Sequence, residues 1–547
     1  MAEPLPRMRW WGWGEPAHSG ALPAHALEFL RANIGTSAAP RPPVALAQVA
    51  LEPSRLGDGL RSELVAICGS GHVREDHEER VLHAAGKGYP DLVRLRAGTP
   101  EGAPDAVVHP AGHEQIMALL ELCSARSVAV VPFGGGTSVV GGLAPLRGEH
   151  EAVLALDLGR LGELLCLDRT SATATVGAGI RGPALERLLA GSGFTLGHFP
   201  QSFEYVSLGG CAATRSAGQA STGYGSIEKL VLGLRLAAPA GEIALAALPA
   251  TAAGPGLRQL LVGSEGTLGV ISEVSLRLRR APERRAYEGV FFETFEQGAE
   301  ALRELAGEHV LPDVARLSDE AETRMSLALA GSGGIRGGIG RAYLGARGYA
   351  GGCLAIVGFE GSTGEVSFRR RRALQLLRRA GGLAVGASPG RAWLKGRFGA
   401  PYLRDELLEH GVMVETLETA AQWSKLPALH NSVARAISGA LGEPSLVMCH
   451  VSHLYESGAS LYFTFLAPQR EGSELEQWRE VKAAASQAIV DGGGTITHHH
   501  AVGRDHAPWM AAEVGEEGLR VLRAAKAELD PAGIMNPGKL LGVSPSG

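Results

Sequence analysis

The chain has 547 residues, of which 45% are hydrophobic and 20% are charged, and this balance supports a large folded core. The formal net charge of -5, without a clustered basic and aromatic patch, argues against nucleic-acid binding. The six cysteines are scattered with no CxxC pair, which is typical of a reducing compartment. The sequence shows neither a signal-peptide pattern nor an uninterrupted apolar stretch long enough to span a bilayer, so we expect a cytoplasmic protein.

The texture of the sequence divides the chain into four predicted regions. Residues 1–103 mix Pro-rich turns with short helices, and residues 104–282 alternate strands, helices and glycine-rich loops. Residues 283–500 repeat a strand–helix–strand pattern three times, and the third unit is expected to end in the strand "TITHHH". Residues 501–547 should form a helix and a Pro-rich stop that packs back on the first lobe. We therefore predict an α+β fold of two lobes, the second an antiparallel sheet covered by helices.

Three segments of the first lobe, rich in glycine and other small residues, suggest a bound cofactor. "PFGGGTSVVGG" follows a predicted strand, and its consecutive glycines let backbone N–H groups converge on a pyrophosphate. It matches neither a Walker A loop nor the GxGxxG fingerprint. The segments 198–236 and 262–278 hold more small residues than a core requires. A plain tight turn would explain one such loop, but three favour backbone packed along an extended cofactor.

In this order, the three segments resemble the FAD-binding lobe of the vanillyl-alcohol-oxidase type, a PCMH-type lobe, over residues 104–282. The rest of the chain resembles the alkyldihydroxyacetonephosphate synthase family, through "MRWWGWG", "RLRAGTPEGAPDAVVHP", "VARLSDE", "APYLRDELLEHGVMVETLETAAQW", "SHLYESGASLYFTF" and "THHHAVG". The resemblance implies a two-lobed flavoprotein with non-covalent FAD. The residues that it assigns to FAD are Pro132, Phe133, Gly134, Gly135, Gly136, Thr137, Ser138, Gln201, Ser202, Ser207, Thr214, Arg215, Ser216, Ala217, Glu265, Gly266, Thr267, Leu268, Gly269, Val270 and Ile271.

The chain departs from the family's pattern at three places. Gln201 stands where the family usually has an acidic residue, and Ser207 stands where it usually has Thr. The glycine-rich loop of residues 331–352 also differs from the family's equivalent. These departures leave flavin binding as the expectation and bear more on the identity of the substrate.

The run of three histidines, His498 to His500, has three interpretations. It is a solvated strand end, or a metal site in which His498 and His500 share one face of a strand and His450 and His453 add ligands. In the third interpretation, which follows the resemblance, the imidazoles line the substrate chamber over the flavin and move protons or bind a headgroup. We favour the third interpretation and predict no metal.

The resemblance also assigns roles around these histidines. Tyr455 would act as the acid/base together with His498, His499 and His500, and a phenol needs hydrogen-bonding or cationic neighbours to do so. The alternative is a structural Tyr455 whose hydroxyl caps a loop. Anion and substrate binding fall to Arg404, Arg316 and His198. An ion pair of Arg404 with Asp405 or Glu406 is the alternative for that side chain.

The implied activity is that of an FAD-dependent transferase in ether lipid biosynthesis, which exchanges the acyl chain of acyl-dihydroxyacetone phosphate for a fatty alcohol without net redox. The alternatives are an FAD-linked dehydrogenase or oxidase of a 2-hydroxyacid or related alcohol, and a flavoprotein without turnover. The expected partners are small lipid substrates and no nucleic acid, with a homodimer left open. The basic helix "FRRRRALQLLRRAGG" could make peripheral membrane contact with anionic lipid, but we favour a solvated helix face.

Overall fold

The computed structural model describes residues 7–15, 24–35, 40–329 and 335–542. Parts of the predicted N-terminal region (1–6, 16–23 and 36–39), the end of the C-terminal region (543–547) and part of the loop 331–352 lie outside these residues. No helix in the described ranges is both long enough and apolar enough to cross a membrane. The N-terminal region contributes α1 (Ala24–Asn33), α2 (Asp58–Cys68), β1 (Val73–Arg74), α3 (His77–Leu82) and α4 (Tyr89–Arg96).

The first lobe is built on two sheets that share one apolar core. One sheet has the order β1-β2-β4-β3 with a parallel centre, and the other is antiparallel with the order β5-β6-β10-β8-β9. The elements are β2 (Ala106–Val108), α5 (His113–Ala125), β3 (Val128–Phe133), β4 (Ala152–Asp157), β5 (Leu164–Asp168), β6 (Thr173–Gly177), α6 (Gly182–Ala190), β7 (Phe194–Thr195), α7 (Leu208–Ala213), α8 (Ser221–Tyr224), α9 (Ile227–Leu230), β8 (Val231–Ala238), β9 (Gly241–Leu245), α10 (Leu257–Leu261), β10 (Val270–Arg277) and β11 (Arg279–Arg280).

The second lobe, or cap lobe, is a seven-stranded antiparallel sheet with the order β15-β12-β14-β13-β17-β18-β16. Four helices, α11, α14, α17 and α18, pack into a core with the sheet. The elements are β12 (Arg284–Phe292), α11 (Phe295–Gly307), β13 (Val314–Ser318), α12 (Glu320–Leu329), α13 (Ile335–Ala346), β14 (Cys353–Gly361), α14 (Thr363–Arg379), β15 (Leu383–Gly386), α15 (Ser388–Gly396), α16 (Ala400–Glu409), β16 (Val412–Gln422), α17 (Leu426–Leu441), β17 (Leu446–Leu454), β18 (Gly458–Pro468) and α18 (Glu474–Asp491). The predicted two-lobed α+β architecture is confirmed.

The predicted last strand of the cap lobe is wrong. Residues 495–500 form no strand, and the backbone N–H groups of residues 498–500 bind the Glu418 side chain instead of a neighbouring strand. Two long strands that the sequence pattern missed, β16 and β17, take the place beside β18. The two glutamates of "VMVETLETAAQ", Glu415 and Glu418, interrupt the apolar alternation that identifies a strand, and both are nevertheless buried.

The C-terminal part of the chain returns to the first lobe. Helix α19 (Met510–Leu529) is followed by a turn that places Ile534 and Met535 in the core of that lobe. The N–H of Val130 on β3 donates to the carbonyl oxygen of Ile534 at 2.8 Å, and that of Asn536 donates back to Val130 at 2.9 Å. The tail therefore pairs with β3, the strand that leads into the glycine-rich loop.

Substitution of Phe463 tests the packing of the cap-lobe core. This side chain on β18 is fully buried among the helices that cover the sheet. We expect Phe463→Ala to lower the free energy of unfolding by about 3–5 kcal/mol, because the truncation leaves a cavity. Chemical denaturation measures the change. Phe368→Ala is the matched control, since Phe368 is 61% exposed on α14 and its loss should change stability little; equal losses for both variants would contradict the packing described.

Candidate active site

A cavity of about 470 Å³ lies where the first lobe meets the cap lobe. Its first wall is the glycine-rich loop after β3 with the segments around α7 and β10. The cap lobe forms the opposite wall through β13, β16, β17 and β18 and through helices α12 and α16. The segment that follows α18, including His499 and His500, closes the space between the two lobes.

At positions 134, 135 and 136 of the loop after β3, the structure favours glycine over any other residue. A Cβ atom on Gly134 would lie 2.2 Å from Oγ of Ser207, and one on Gly135 would lie 2.1 Å from the carbonyl oxygen of Tyr205. Gly136 has a φ of +70°, in the left-handed region that favours glycine. The loop therefore brings bare backbone to the cavity wall, as a pyrophosphate cradle requires.

All but four of the residues assigned to FAD lie on the cavity wall. Arg215 points away because its guanidinium donates to the carbonyl oxygens of Val262 and Gln259. Thr267, Leu268 and Val270 are buried and do not line the cavity. For these four residues the structure does not support direct side-chain contact with the cofactor.

Asn536 is a cavity residue that sequence reasoning missed. Its amide Nδ2 donates to the carbonyl oxygens of Glu265 at 2.7 Å and of Gly142 at 3.2 Å. Its Oδ1 is buried and has no hydrogen-bond partner among the described residues, so it can accept from a bound group. The only signal in the sequence was the polar Asn within the apolar "GIMNPGK" tail. These features fit FAD along the first wall.

Gln201 and Ser207, the two departures from the family's pattern, both line the cavity. The Gln201 Nε2 donates to the carbonyl oxygen of Arg397 at 2.8 Å, and its Oε1 accepts from Gln219. Ser207 caps α7, because its Oγ accepts the N–H of Gly210. Neither substitution removes a wall of the flavin site.

The histidine segment is held by Glu418 of β16. The buried carboxylate accepts the backbone N–H groups of His498, His499 and His500 and the hydroxyl of Thr497. Because residues 498–500 are not a strand, His498 and His500 do not share a strand face. The HxH geometry expected for a metal is therefore absent from this segment.

The imidazoles form a connected chain with Tyr455. The Tyr455 hydroxyl lies 2.5 Å from Nε2 of His498, and Nδ1 of His498 lies 2.9 Å from Nδ1 of His499. When the phenol donates to His498, that ring must carry its proton on Nδ1 and donate it to His499. In that arrangement Nε2 of His499 carries the proton and donates to a ligand, whereas with the chain reversed Nδ1 carries it and Nε2 is an acceptor. The sequence predicted the members of this chain but not their order.

A different set of three imidazoles has the spacing of metal ligands. One ring nitrogen from each of His453, His498 and His499 lies within 4.8 Å of the others. The His453 ring stacks on that of His498 with centroids 5.0 Å apart, and its Nδ1 is buried without a partner among the described residues. His450, the other ligand considered, binds Glu322 and Arg316 instead.

Burial sets the protonation of this cluster. It lowers the pKa of His498, His499 and His500, and the nearby Glu418 carboxylate partly offsets the effect. Burial also raises the pKa of Tyr455, and the charges of Glu228 and Glu418 raise it further. At neutral pH the phenol is therefore protonated and the imidazoles are neutral, so an imidazole is a better proton acceptor here than the phenol.

The predicted catalytic residues occupy two rows. His499 and His500 line the cavity, whereas Tyr455 and His498 stand behind them. Lys229 lies 5.5 Å from the Tyr455 ring centroid and supplies the cationic neighbour that the sequence analysis required. The indole N–H of Trp423 donates to the Tyr455 carbonyl oxygen, which fixes the loop that carries the phenol.

Arg404 on α16 lines the cavity with an incompletely paired guanidinium. One of its terminal nitrogens donates to the carbonyl oxygen of Lys87 at 2.7 Å, whereas Nε and Nη2 are buried without a hydrogen bond among the described residues. Asp405 lies 3.6 Å from Nη2, but its Oδ2 accepts the backbone N–H of Trp13. The alternative of a simple ion pair with Asp405 therefore does not satisfy this side chain, which can bind an anion.

Of the other two predicted substrate-binding residues, one lines the cavity and the other does not. Arg316 lines the cavity, and its guanidinium is paired with Glu322 at 2.6 Å and with the His450 ring at 2.9 Å. His198 does not reach the cavity, which corrects the prediction. It is buried within the first lobe, its Nε2 lies 3.1 Å from Oγ of Ser216, and burial lowers its pKa to about 4.

An apolar branch of the cavity was not predicted. Helix α1 of the N-terminal region packs against α12 and against strands β16, β17 and β18 at one side of the cap sheet. The apolar residues that line this branch are Leu30, Met325, Leu329, Leu403, Leu407, Val414, Met448 and Leu466. The sequence predicted α1 as a helix, but its position depends on contacts between segments far apart in the chain.

The chain matches two families and several known proteins. Residues 104–246 match the family "FAD binding domain", and residues 281–540 match "FAD linked oxidases, C-terminal domain". An alkyldihydroxyacetonephosphate synthase of Dictyostelium discoideum is 33% identical over 91% of this chain and 83% of its own length. One of Trypanosoma brucei brucei is 32% identical over 100% and 94%. A solved structure of an alkyldihydroxyacetonephosphate synthase has a TM-score of 0.85 and 29% identity, covering 98% of this chain and 99% of its own.

Substitution of a glycine in the loop after β3 tests its role in FAD binding. We expect Gly135→Ala to weaken FAD binding at least about tenfold, because the new Cβ displaces either the loop or Tyr205. Titration of the apoprotein with FAD, followed by flavin fluorescence, measures the change. Gly439→Ala on α17 is the control, since nothing lies within 4 Å of the added atom. Unchanged FAD affinity in the Gly135 variant would contradict the assignment.

Proposed function

Because the chain belongs to the alkyldihydroxyacetonephosphate synthase family, we propose that it exchanges the acyl chain of acyl-dihydroxyacetone phosphate for a fatty alcohol. The product is an ether lipid precursor, and the displaced chain leaves as a fatty acid. One observation carries the proposal: a single cavity joins a flavin cradle, an anion-binding wall and an apolar branch. A substrate with a phosphate head and an aliphatic chain needs all three.

The anion-binding wall suits the phosphate headgroup. Arg404 offers two unpaired N–H positions, and a planar guanidinium binds phosphate oxygens in pairs. His499 and His500 lie on the same cavity and add neutral imidazole donors. Arg316 is a weaker candidate, since Glu322 already neutralises it.

The apolar branch suits the aliphatic chain. Its wall consists of leucine, methionine and valine side chains from α1, α12, α16 and strands β16, β17 and β18. Each methylene that moves from water into such a branch contributes about 0.8 kcal/mol. A 2-hydroxyacid has no chain to place there, so the branch favours the synthase over a 2-hydroxyacid dehydrogenase.

Tyr455 and the histidines handle the proton that the exchange requires. Bound FAD supplies an electron-poor ring at which the substrate is activated for exchange of its chains. His499 is neutral, lies on the wall, and can take the proton from the carbon that bears the ester when its own proton is on Nδ1, because Nε2 is then the acceptor. In that state Nδ1 of His499 donates to His498, whose Nε2–H donates to the Tyr455 oxygen. Tyr455 then acts through His498, since the hydrogen bonds between them decide which ring nitrogen of His499 is free.

Membrane contact receives little support from α14. Phe368 is exposed on this helix, next to the arginine run. However, Arg369 pairs with Asp313, Arg370 with Glu288 and Arg372 with Glu308, as the ion pairs across the cap lobe show. These acidic partners engage three of the six arginines of α14, so we favour a solvated helix face over membrane contact.

Product analysis tests the proposed function. FAD-loaded protein incubated with acyl-dihydroxyacetone phosphate and a long-chain alcohol should yield an alkyl ether and an equal amount of fatty acid, both detected by mass spectrometry. Release of fatty acid without ether would indicate hydrolysis. Bleaching of the flavin by 2-hydroxyacids, with no ether formed, would establish the dehydrogenase instead.

Removal of the Tyr455 hydroxyl tests the proton chain. We expect Tyr455→Phe to lower the turnover rate at least about 100-fold, because His498 loses the partner that orients its protons. FAD binding and thermal stability should stay unchanged. Tyr349→Phe is the matched control, since that hydroxyl donates to the carbonyl oxygen of Gly381 in the cap lobe, away from the cavity. Full turnover by the Tyr455 variant would remove the phenol from the mechanism.

A further inference from the structure

Glu418 has no assigned role, yet it is the most heavily engaged carboxylate near the cavity. It lies in the middle of β16, its side chain is fully buried, and it does not line the cavity itself. Three consecutive backbone N–H groups, from His498, His499 and His500, converge on its two oxygens. The hydroxyl of Thr497 adds a fourth donor at 2.7 Å.

This arrangement is an anion nest filled by the protein's own carboxylate. Successive N–H groups that point to one side form such nests, and elsewhere they bind phosphate or other anions. Burial alone would raise the pKa of Glu418, but charge interactions with the His499, His500 and His498 rings, together with the backbone N–H of His499, hold it well below its usual range. The buried charge is therefore compensated by these rings and by hydrogen bonds.

The same carboxylate lies beside the imidazoles that reach the cavity. Its oxygens are 3.7 Å from Nδ1 of His499 and 3.7 Å from Nδ1 of His500. A proton taken up by either ring would thus create a cation next to an existing anion. In a buried site such a neighbour stabilises the charged ring far more than it would in water.

We propose that Glu418 is a positioning residue of the active site, which holds residues 497–500 in the conformation that presents His499 and His500 to the cavity and balances the charge these rings acquire. The proposal rests on the proposed function for its catalytic meaning. The effect on the histidine rings can be measured without any turnover. Glu418 acts through other groups and does not contact the substrate.

Other charges around the cluster do not replace Glu418. Glu228 of α9 acts on His498 and Tyr455, and Lys482 of α18 acts on His500 with the opposite sign. The titratable groups that feel the Glu418 charge come from β17, β18 and the segment after α18; they are His453, Tyr455, Tyr462, His498, His499, His500 and His506.

Two substitutions separate geometry from charge. Glu418→Gln keeps the shape, but its amide has one acceptor oxygen and directs an NH₂ group at backbone donors. It removes both the charge and half of the acceptors. Glu418→Asp keeps the charge, but its shorter side chain cannot reach all four donors. Glu288→Gln is the matched control, because Glu288 is a buried carboxylate of the same sheet, paired with Arg370 and outside the cavity.

The test measures deuterium exchange at the C2 position of each histidine across a pH series, by mass spectrometry of FAD-loaded protein without substrate. The midpoint of each exchange curve reports the protonation of that ring. In Glu418→Gln we expect the midpoints of His499 and His500 to fall by at least about one pH unit, since the anion that favours their protonated forms is gone. Turnover should fall at least about 100-fold, with the acidic limb of its pH profile shifted in the same direction.

The two other variants make the result specific. Glu418→Asp should keep the midpoints near those of the natural protein and still lose about tenfold in turnover, because the histidine segment loses part of its anchor. Glu288→Gln should change neither quantity, even where it lowers thermal stability. If Glu418→Gln does not fold, Glu418→Asp decides alone, and natural turnover in that variant would overturn the anchoring role.

Failure of this proposal is distinguishable from failure of the proposed function. Unchanged midpoints in a folded Glu418→Gln protein would overturn the proposal, whatever reaction the protein catalyses. Shifted midpoints in a protein that forms no ether would support the charge coupling and reject the synthase activity. Equal losses of turnover in Glu418→Gln and Glu288→Gln would reduce Glu418 to a general stabilising residue and so contradict the proposal.

Discussion

The segment 497–503 crosses from the cap lobe to the first lobe, and two buried carboxylates hold it at its two ends. Glu418 binds the backbone of residues 498–500 from the cap sheet. Glu265, beside the glycine loops of the first lobe, accepts the N–H groups of Val502 at 2.8 Å and Gly503 at 2.7 Å. The histidine rings can face the cavity only because the backbone between these anchors has no freedom to turn them elsewhere.

This constraint couples the two lobes chemically. Asn536 links Glu265 to the C-terminal tail, which itself pairs with the strand leading into the glycine loop. The position of the imidazoles is thus connected by hydrogen bonds to the cradle for FAD. Burial raises the pKa of Glu265 to about 7, so this anchor is the more sensitive of the two to pH, whereas Glu418 stays ionised. Folding, cofactor site and proton chain share one set of buried polar contacts.

Much of this site could be predicted because local sequence encodes it. The consecutive glycines of the loop after β3 are visible in the sequence, and most of the assigned flavin residues line the cavity. The atoms that exclude a side chain at Gly134 and Gly135 belong to Ser207 and Tyr205, which are distant in the chain. Tyr455 and the histidines came from the family resemblance. The structure showed the order in which these side chains are hydrogen-bonded and that Tyr455 and His498 lie behind the cavity wall. Hydrogen bonds between residues 43 positions apart leave no local pattern in the sequence.

The failures have physical reasons as well. The segment "TITHHH" has the polarity of a strand end, but a buried carboxylate from β16 competes successfully for its backbone donors. Strand β16 was missed because Glu418 places a charged residue at a buried position, where the pattern of a strand has an apolar one. His198 was placed by its proximity in sequence to the flavin segment, yet its side chain turns into the first lobe. The apolar branch depends on α1, whose contacts are all distant in the chain.

The most direct test of the central claim uses a fatty alcohol labelled with oxygen-18. If the bond between the headgroup carbon and the ester oxygen breaks, the fatty acid keeps that oxygen and the ether receives the oxygen of the alcohol. Mass spectrometry should therefore find the label in the alkyl ether and none in the released fatty acid. An ether without the label, or label in the fatty acid, would contradict exchange at this carbon and with it the role given to the cavity.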